Sequence, residues 1–409
     1  MNKIYLDHNA TTPIDPYVLG KMLPYYKDIF GNASSAHGFG QEAMKGIDWA
    51  REQIAELFGC KLKEIIFSSG ATESNNLVLR GLLMSFRYAK KDNWDKKFHI
   101  ITSAIEHPAI LEPCKELEKE GLAEITIVGI NDRGFVDLEE IKKEIKENTI
   151  LVSIMYVNNE IGTIQPIKEI GKIIERINAE RAKKNPKFAA FDRVYFHTDA
   201  AQATHYCDMK VKNLGVDFMT ISGHKIYGPK GIGATYIKEG SPIRAVTFGG
   251  HQEYNIRPGT YNVAQIVGLG AAVELINNTK ENAKINKRIE ELRDKLTEEL
   301  QKKIPDTFIN GVMDNRVPAN LNISFKNAEG ESMMLMLDME EIAVSTGSAC
   351  ASGSLAPSYV LLALGLSPEI CHASLRISLG KFTTEKEINY VIKILPGIIA
   401  KLRKISPYK

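Results

Sequence analysis

Short runs of apolar and β-branched residues recur along the first 240 positions, and each is bounded by polar, glycine or proline residues. Runs of this kind are typical of β-strands buried inside a sheet. The pattern predicts seven strands, at 64–67, 98–103, 125–130, 149–157, 194–199, 217–222 and 233–238.

Amphipathic stretches such as 138–148 and 167–181 lie between most of these strands. Strands alternating with helices indicate an α/β fold with a mostly parallel sheet covered on both faces. Ligands bind such sheets at the carboxyl ends of the strands. The polar clusters of this chain fall at those ends, with the sequences SSGATES, AIEHP, NNE, DAAQ and GHK.

The pattern changes after about residue 260. A long helical region at about 262–303 precedes two strand-like segments, NLNISF and SLRISLG, and a final amphipathic helix at about 384–405. We expect a large α/β domain of residues 16–259. We expect a smaller α+β domain made of residues 1–15 and 260–409. The stretches 89–97 and 179–193 are predicted to be polar surface loops.

Composition narrows the class of protein. The 409 residues carry 52 basic and 50 acidic side chains without a concentrated basic run, which disfavours nucleic acid and anionic membranes as partners. No apolar run reaches the length of a membrane span, and the N-terminus does not resemble a signal peptide. The five cysteines are scattered and odd in number, which favours free thiols and a cytoplasmic protein.

Three of the polar clusters contain residues suited to a phosphorylated aromatic ligand, and each has an ordinary structural alternative. Backbone N–H groups near Ser69 and Thr72, at a predicted helix start, suit a phosphate, although either hydroxyl could simply cap the helix. Asp199 ends a strand, where an acid can bind a ligand cation or cap the next helix. His107 can stack on a ring, transfer protons or be purely structural.

Lys225 follows Asp199 by 26 residues, one crossover later, so both side chains can face the same crevice. A lysine beside apolar surface and other cations can form a Schiff base with an aldehyde. The alternative, a solvated loop lysine, fits Lys230 better. A phosphate site, an acid, a stacking histidine and a Schiff-base lysine are together what pyridoxal 5′-phosphate (PLP) requires.

At this point the sequence closely resembles the cysteine desulfurases, fold-type I PLP enzymes of the class V aminotransferase group. The resemblance covers nearly the whole chain. It rests on the ordered motifs LDHNATTP, GNASSAHGFG, SSGATESNN, EHPA, VNNEIG, HTDAAQ, SGHKIYGPKGIG, RPGT, EGES, STGSACAS and SLRISLGKFTTEKEI.

The resemblance implies a role for each matching residue. Lys225 would bind the aldehyde of the cofactor, Asp199 would pair with the ring nitrogen, and His107 would stack on the ring. The other cofactor-binding residues would be Ala71, Thr72, Ser222 and His224 at the phosphate, Asn159 and Gln202 at the phenolic oxygen, and Thr260, which would reach the phosphate of the neighbouring subunit in a homodimer.

The implied reaction removes sulfur from L-cysteine. Arg376 would hold the substrate carboxylate together with Asn159, although an exposed strand arginine is the alternative. Lys225 would take the Cα proton, and Cys350 would attack the substrate sulfur and become a persulfide. L-Alanine would leave, and an acceptor such as an iron–sulfur scaffold would collect the sulfur. The loop at about 345–355, rich in small residues, is expected to be mobile.

The sequence also departs from the family pattern. Ala33 replaces a common proline, and the two polar loops resemble insertions. The chain ends at RKISPYK, soon after the last predicted helix, and this leaves the acceptor protein open. No resident metal is expected, although Cys350 could transiently bind an iron–sulfur unit with a partner. The alternatives are a selenocysteine lyase, an aminotransferase, a non-catalytic sulfur carrier and a metal protein.

Overall fold

The computed structural model describes residues 3–89, 97–346 and 356–406. Within them, a seven-stranded sheet forms the centre, in the order β2-β8-β7-β6-β5-β3-β4. Only β8 runs antiparallel to its neighbours in this sheet. The predicted α/β class and all seven predicted strands are confirmed. The strands are β2 (Ile65–Ser68), β3 (Phe98–Ser103), β4 (Ala123–Val128), β5 (Thr149–Ser153), β6 (Tyr195–Asp199), β7 (Phe218–Ser222) and β8 (Gly233–Ile237).

Helices cover this sheet because their apolar faces must be buried against it. The helices of this part are α1 (Pro16–Lys27), α2 (Gly38–Phe58), α3 (Ala71–Ala89), α4 (Pro108–Lys119), α5 (Leu138–Glu144), α6 (Ile167–Lys184), α7 (Val211–Leu214) and α8 (Val263–Asn277). One hydrophobic core joins sheet and helices, with Ile47 and Ile54 of α2 packed among residues of the strands and of α8.

The smaller part has its own core, which includes Ile4, Leu321 and Leu395. Its four-stranded antiparallel sheet has the order β12-β13-β10-β9, and the short strand β1 pairs in parallel with β11. The strands are β1 (Ile4–Tyr5), β9 (Thr307–Ile309), β10 (Asn320–Phe325), β11 (Ile342–Ala343), β12 (Ser345–Thr346) and β13 (Ser374–Ser378). The helices are α9 (Thr279–Lys303), α10 (Gly330–Met339), α11 (Tyr359–Ala363), α12 (Pro368–His372) and α13 (Glu385–Ile405).

The expected boundary at 259/260 stays a prediction, and the packing of the helices that follow it can be described. Helix α8 packs against α1 and α2, and its residues Ile266 and Val273 belong to the core of the large sheet. The core of the smaller part begins beyond it, at Ile289 in α9. Asn278 breaks the long predicted helical region into these two helices.

The predicted loop at 179–193 is only partly a loop. Helix α6 continues to Lys184, so residues 179–184 are helical. Arg181 stabilises this extension by donating hydrogen bonds to the backbone carbonyls of Thr149, Lys146 and Asp192. Basic residues in the last turn also favour a helix C-terminus. Most of the other predicted loop, 89–97, lies outside the described residues.

Across residues 3–89, 97–346 and 356–406, no helix is both long and apolar enough to cross a bilayer.

Candidate active site

A cavity of about 660 Å³ lies at the carboxyl ends of the central strands. Ten residues predicted from the sequence line it, although they come from both parts of the chain. They are Ala71, Thr72, His107, Asn159, Asp199, Gln202, Ser222, His224, Lys225 and Arg376. The expectation that the polar strand ends meet in one crevice is therefore confirmed.

The turn between β2 and α3 forms one wall of this cavity. Gly70 has φ of 150°, a conformation that favours glycine. The turn also lies close to β8, because a Cβ atom on Gly233 would come within 2.8 Å of Gly70 Cα. Helix α3 begins at Ala71, so Thr72 lies inside the first turn rather than at the cap. Ser69 donates its backbone N–H to Glu73 Oε2 at 2.7 Å. We name residues 69–72 the phosphate turn.

Asp199 also lines the cavity and is 7% exposed. Its Oδ2 accepts a hydrogen bond from Asn75 Nδ2 at 2.7 Å, and its Oδ1 accepts the backbone N–H of Ala201 at 2.9 Å. Both of these donors are neutral, so they orient the carboxylate without cancelling its charge. The Asp199 carboxylate therefore stabilises the turn at Ala201 and also faces the cavity.

Lys225 is held by the N-terminal segment. Its Nζ donates to the carbonyl oxygens of Asn9 at 2.5 Å and Ala10 at 2.9 Å. Gln202 Nε2 donates to the same Asn9 oxygen at 2.9 Å. A flexible lysine side chain is thereby fixed where it faces the cavity.

His107 is the N-cap of helix α4 and accepts the backbone N–H of Ala109 on Nδ1 at 3.1 Å. Burial lowers the pKa of His107 below its usual value, and nearby Lys225 adds to this while Asp199 opposes it. The histidine is therefore neutral near pH 7. With Nδ1 accepting, its ring proton resides on Nε2.

His224 is also kept neutral. Burial, assisted by the charges of Lys225 and Lys230, lowers the pKa of His224 to about 4. Its Nδ1 lies 3.2 Å from Thr11 Oγ1.

Arg376 enters the cavity from β13 and is 2% exposed, so the alternative of an exposed strand arginine is wrong. Its Nη2 donates to Asp7 Oδ1 at 3.0 Å, and its Nη1 donates to the carbonyl oxygen of Asn159 at 3.2 Å. Two buried atoms here have no hydrogen-bond partner within the described chain, Arg376 Nε and Asn159 Oδ1. Such atoms are costly to bury and are suited to a polar ligand.

One predicted residue that the structure describes does not line this cavity, and another lies outside the described residues. Thr260 is exposed and lines a neighbouring cavity of about 280 Å³, which shares Ser69 and Gly231 with the first. Cys350 lies outside the described residues, as do most of the residues of the loop predicted at about 345–355.

Sequence reasoning assigned no role to Asn9, Ala10 or Asn75. The first two sit in the motif LDHNATTP, where polar residues follow a short apolar run. Asn75 lies four residues after Ala71, on the inner face of α3, and its complete burial was the missing signal.

Comparison with known proteins identifies the family of this chain. The aminotransferase class-V family model matches residues 4–391. A protein named cysteine desulfurase IscS from Dictyoglomus turgidum is 47% identical over 407 residues, covering 100% of this chain and 97% of its own. A cysteine desulfurase from a Nostoc species is 44% identical, covering 100% of this chain and 96% of its own.

Solved structures agree with the sequence relatives. A NifS-like protein superposes with a TM-score of 0.86 at 37% identity, covering 98% of this chain and 100% of its own. A structure titled SspA in complex with cysteine gives 0.77 at 34% identity, covering 94% and 100%. The chain therefore belongs to the class-V aminotransferase family and, within it, to the cysteine desulfurases.

Proposed function

We propose that the protein is a PLP-dependent cysteine desulfurase that converts L-cysteine to L-alanine and retains the sulfur as a persulfide. The observation that carries this proposal is that Lys225, Asp199 and Arg376 face one cavity. An amine for an aldehyde, an acid for a ring nitrogen and a guanidinium for a carboxylate are the groups that this chemistry requires.

The residues of the cavity fit PLP. Lys225, Lys230 and Arg376 provide three cationic groups against the two carboxylates of Glu73 and Asp199, which favours an anionic ligand. The phosphate turn provides the start of a helix for a phosphate. The unpartnered Oδ1 of Asn159 provides a hydrogen-bonding group in the same cavity. When bound, PLP withdraws electrons from the α-carbon of the amino acid attached to it.

The protein side chains orient the substrate and move its protons. Arg376 is fixed by Asp7 and Asn159, so its guanidinium is prepared to bind the substrate carboxylate. Lys225 lines the same cavity and would remove the Cα proton of the substrate. His107, neutral and protonated on Nε2, acts as a proton donor in the same cavity.

Cys350 takes the sulfur. Its thiolate attacks the sulfur of cysteine, an S–S bond forms, and the C–S bond breaks with its electron pair left on carbon. Protonation of that β-carbon, and return of a proton to Cα, complete L-alanine, so no external oxidant is needed. Free thiols are only a few per cent ionised at neutral pH, so a base at the site must accept the thiol proton.

The protein functions as a homodimer in the cytoplasm and delivers sulfur to an acceptor protein such as an iron–sulfur scaffold. Thr260 is exposed beside the phosphate turn, where it can serve a second copy of the chain. Exposed aromatic side chains, Phe248 at 85% and Phe30 at 69%, provide apolar surface for such an interface. The four described cysteines are free thiols, as expected in a reducing compartment.

Single-turnover analysis tests the proposed function. PLP-loaded enzyme mixed with one equivalent of L-cysteine, without a reductant, should release one alanine and gain one sulfur atom in intact-mass analysis. Pyruvate and ammonia without added protein mass would indicate elimination. Loss of the amino group to a keto acid would indicate an aminotransferase.

A further inference from the structure

Strand β2 is an edge strand that leads directly into the phosphate turn. Among the described strands it pairs only with β8, so its outer backbone groups require other partners. Arg51 Nη1 donates to the carbonyl oxygen of Ile65, and Glu253 Oε2 accepts the backbone N–H of Phe67 at 2.7 Å. These two side chains therefore provide hydrogen-bond partners for outer backbone groups of β2 immediately before the phosphate turn begins.

The two side chains also form a buried, bidentate ion pair. Arg51 Nη2 lies 2.5 Å from Glu253 Oε1, and Arg51 Nη1 lies 3.2 Å from Glu253 Oε2. The residues are only 5% and 2% exposed. Burying two charges is expensive, so such a pair is weak evidence for stability alone and suggests a positional role.

Glu253 begins an unusual stretch of backbone. Glu253, Tyr254 and Asn255 have φ of 44°, 56° and 64°, the left-handed region that non-glycine residues rarely adopt. Such strain persists only where surrounding contacts enforce it. The ion pair with Arg51 and the bond to Phe67 provide those contacts.

The same segment reaches the phosphate turn from its other end. Arg257 Nε donates to Glu73 Oε1 at 2.8 Å, and Arg257 Nη2 lies 3.3 Å from Glu73 Oε2. Glu73 Oε2 in turn accepts the backbone N–H of Ser69. Residues 253–257 therefore contact the chain both before the phosphate turn, at Phe67, and after it, at Glu73.

We propose that the Arg51–Glu253 ion pair positions the phosphate turn and so sets the affinity of the protein for the phosphate group of PLP. The pair acts through the backbone of β2 and residues 253–257, and neither residue lines the cavity that contains Lys225. Because Thr260 follows only three residues after Arg257, the same pair also places that hydroxyl. This inference rests on the proposed function.

The test compares two ligands that differ only in the phosphate. Affinities of the full-length apoenzyme for PLP and for pyridoxal are measured by absorbance titration. Glu253→Gln should weaken PLP binding about tenfold, the order expected for one charge-assisted hydrogen bond, and leave pyridoxal binding unchanged. Arg51→Lys retains the positive charge but not the bidentate geometry, and should give a smaller loss of the same kind.

Asp217→Asn is the matched control. Asp217 is also a buried carboxylate, paired with Lys238 at 3.0 Å and accepting the backbone N–H of Phe196 at 3.1 Å, but it lies at the opposite end of the strands. It should change neither affinity. Glu73→Gln, at a more accessible site, should also weaken PLP binding without changing pyridoxal binding. This variant tests the inference if Glu253→Gln does not fold.

Equal losses for PLP and pyridoxal, or no loss for either, would overturn the inference while the proposed function stands. A wild-type protein that binds pyridoxal as tightly as PLP would have no phosphate site, and would contradict both.

Discussion

Asn75 donates a 2.7 Å hydrogen bond to the carboxylate of Asp199, although the two residues are 124 positions apart in the chain. Helix α3, which carries Asn75, also begins with the phosphate turn. The same helix therefore fixes the distance between the phosphate turn and Asp199, the acid that is expected to bind the ring nitrogen. This relation is useful for catalysis, because both ends of one ligand are fixed by one element.

This contact can be tested by substitution at both residues. Asp199→Ala should bind PLP weakly and lose nearly all alanine production, because the ring nitrogen loses its anionic partner. Asn75→Ala should keep the acid but leave it less fixed, with a loss of about tenfold in kcat, as for one hydrogen bond to a charged group. Alanine production is measured with saturating PLP. Near-normal turnover by Asp199→Ala would mean that the acid serves only the turn at Ala201.

Lys225 should be the residue that binds the cofactor covalently. Borohydride reduction of the PLP-loaded wild type should leave the cofactor attached to Lys225, as mapped by peptide mass spectrometry. Lys225→Ala should show no attachment and no turnover. Lys230→Ala is the control, since Lys230 lines the same cavity but is exposed, and it should retain the link. A trapped cofactor in Lys225→Ala would assign the role to another lysine.

Much of this architecture could be predicted from local sequence. Buried parallel strands are nearly continuous apolar runs, and their polar ends mark one edge of the sheet. One such run ends at Asp199, and two others come shortly before His107 and Lys225. The convergence of these three side chains could therefore be predicted without knowledge of the tertiary structure.

Other features depended on contacts that no local pattern contains. Asn9 and Ala10 bind Lys225 through backbone carbonyls, which any residue could provide. The packing of α8 is a second example, because α8 is one helix among several in the sequence, and only its contacts with α1 and α2 join it to the core of the large sheet. Arg376 is a further example. The alternative of an exposed strand arginine is excluded by its burial, which the sequence pattern does not reveal.

The two functions of His107, helix capping and proton transfer, can be separated. His107→Ala should lose activity and also about 1 kcal/mol of stability, because an N-cap acceptor is removed. His107→Asn should restore the stability, since asparagine caps well, but not the activity. Thermal unfolding and alanine production measure the two effects. Recovery of activity by His107→Asn would show that the histidine acts only as a cap.

The pH dependence of His107 follows from its environment. Burial lowers the pKa of His107 below 6.5, so the native state binds fewer protons than the unfolded state as the pH falls. Its contribution to stability is therefore present above pH 6.5 and is lost as the pH decreases through the folded pKa. The wild-type protein should accordingly lose stability as the pH decreases below 6.5, and thermal unfolding of His107→Asn should lack this component of the loss.

Thr260 should act across a subunit interface. In mixed dimers of Thr260→Ala with Lys225→Ala, one of the two sites would combine Lys225 from the first chain with Thr260 from the second. Activity should therefore exceed that of either variant alone, and sedimentation should show dimers. If Thr260 served its own chain, mixing would restore nothing. A fully active monomer would equally contradict the interface.

Cys350 should be the only cysteine needed for sulfur transfer. Burial raises the pKa values of Cys60, Cys114 and Cys207 to about 12 and that of Cys371 to about 11, which keeps these four thiols protonated and poorly nucleophilic at neutral pH. Cys350→Ser should therefore bind PLP and L-cysteine normally but form no persulfide and almost no alanine.

A variant with the other four cysteines changed to serine or alanine is the control. It should lose stability, because two of them are core residues, while retaining persulfide formation. Intact-mass analysis after one equivalent of L-cysteine, with and without reductant, distinguishes a bound sulfur from other adducts. If Cys350→Ser released sulfide and alanine at the wild-type rate, the sulfur would leave by direct elimination, and a selenocysteine lyase would become the better assignment.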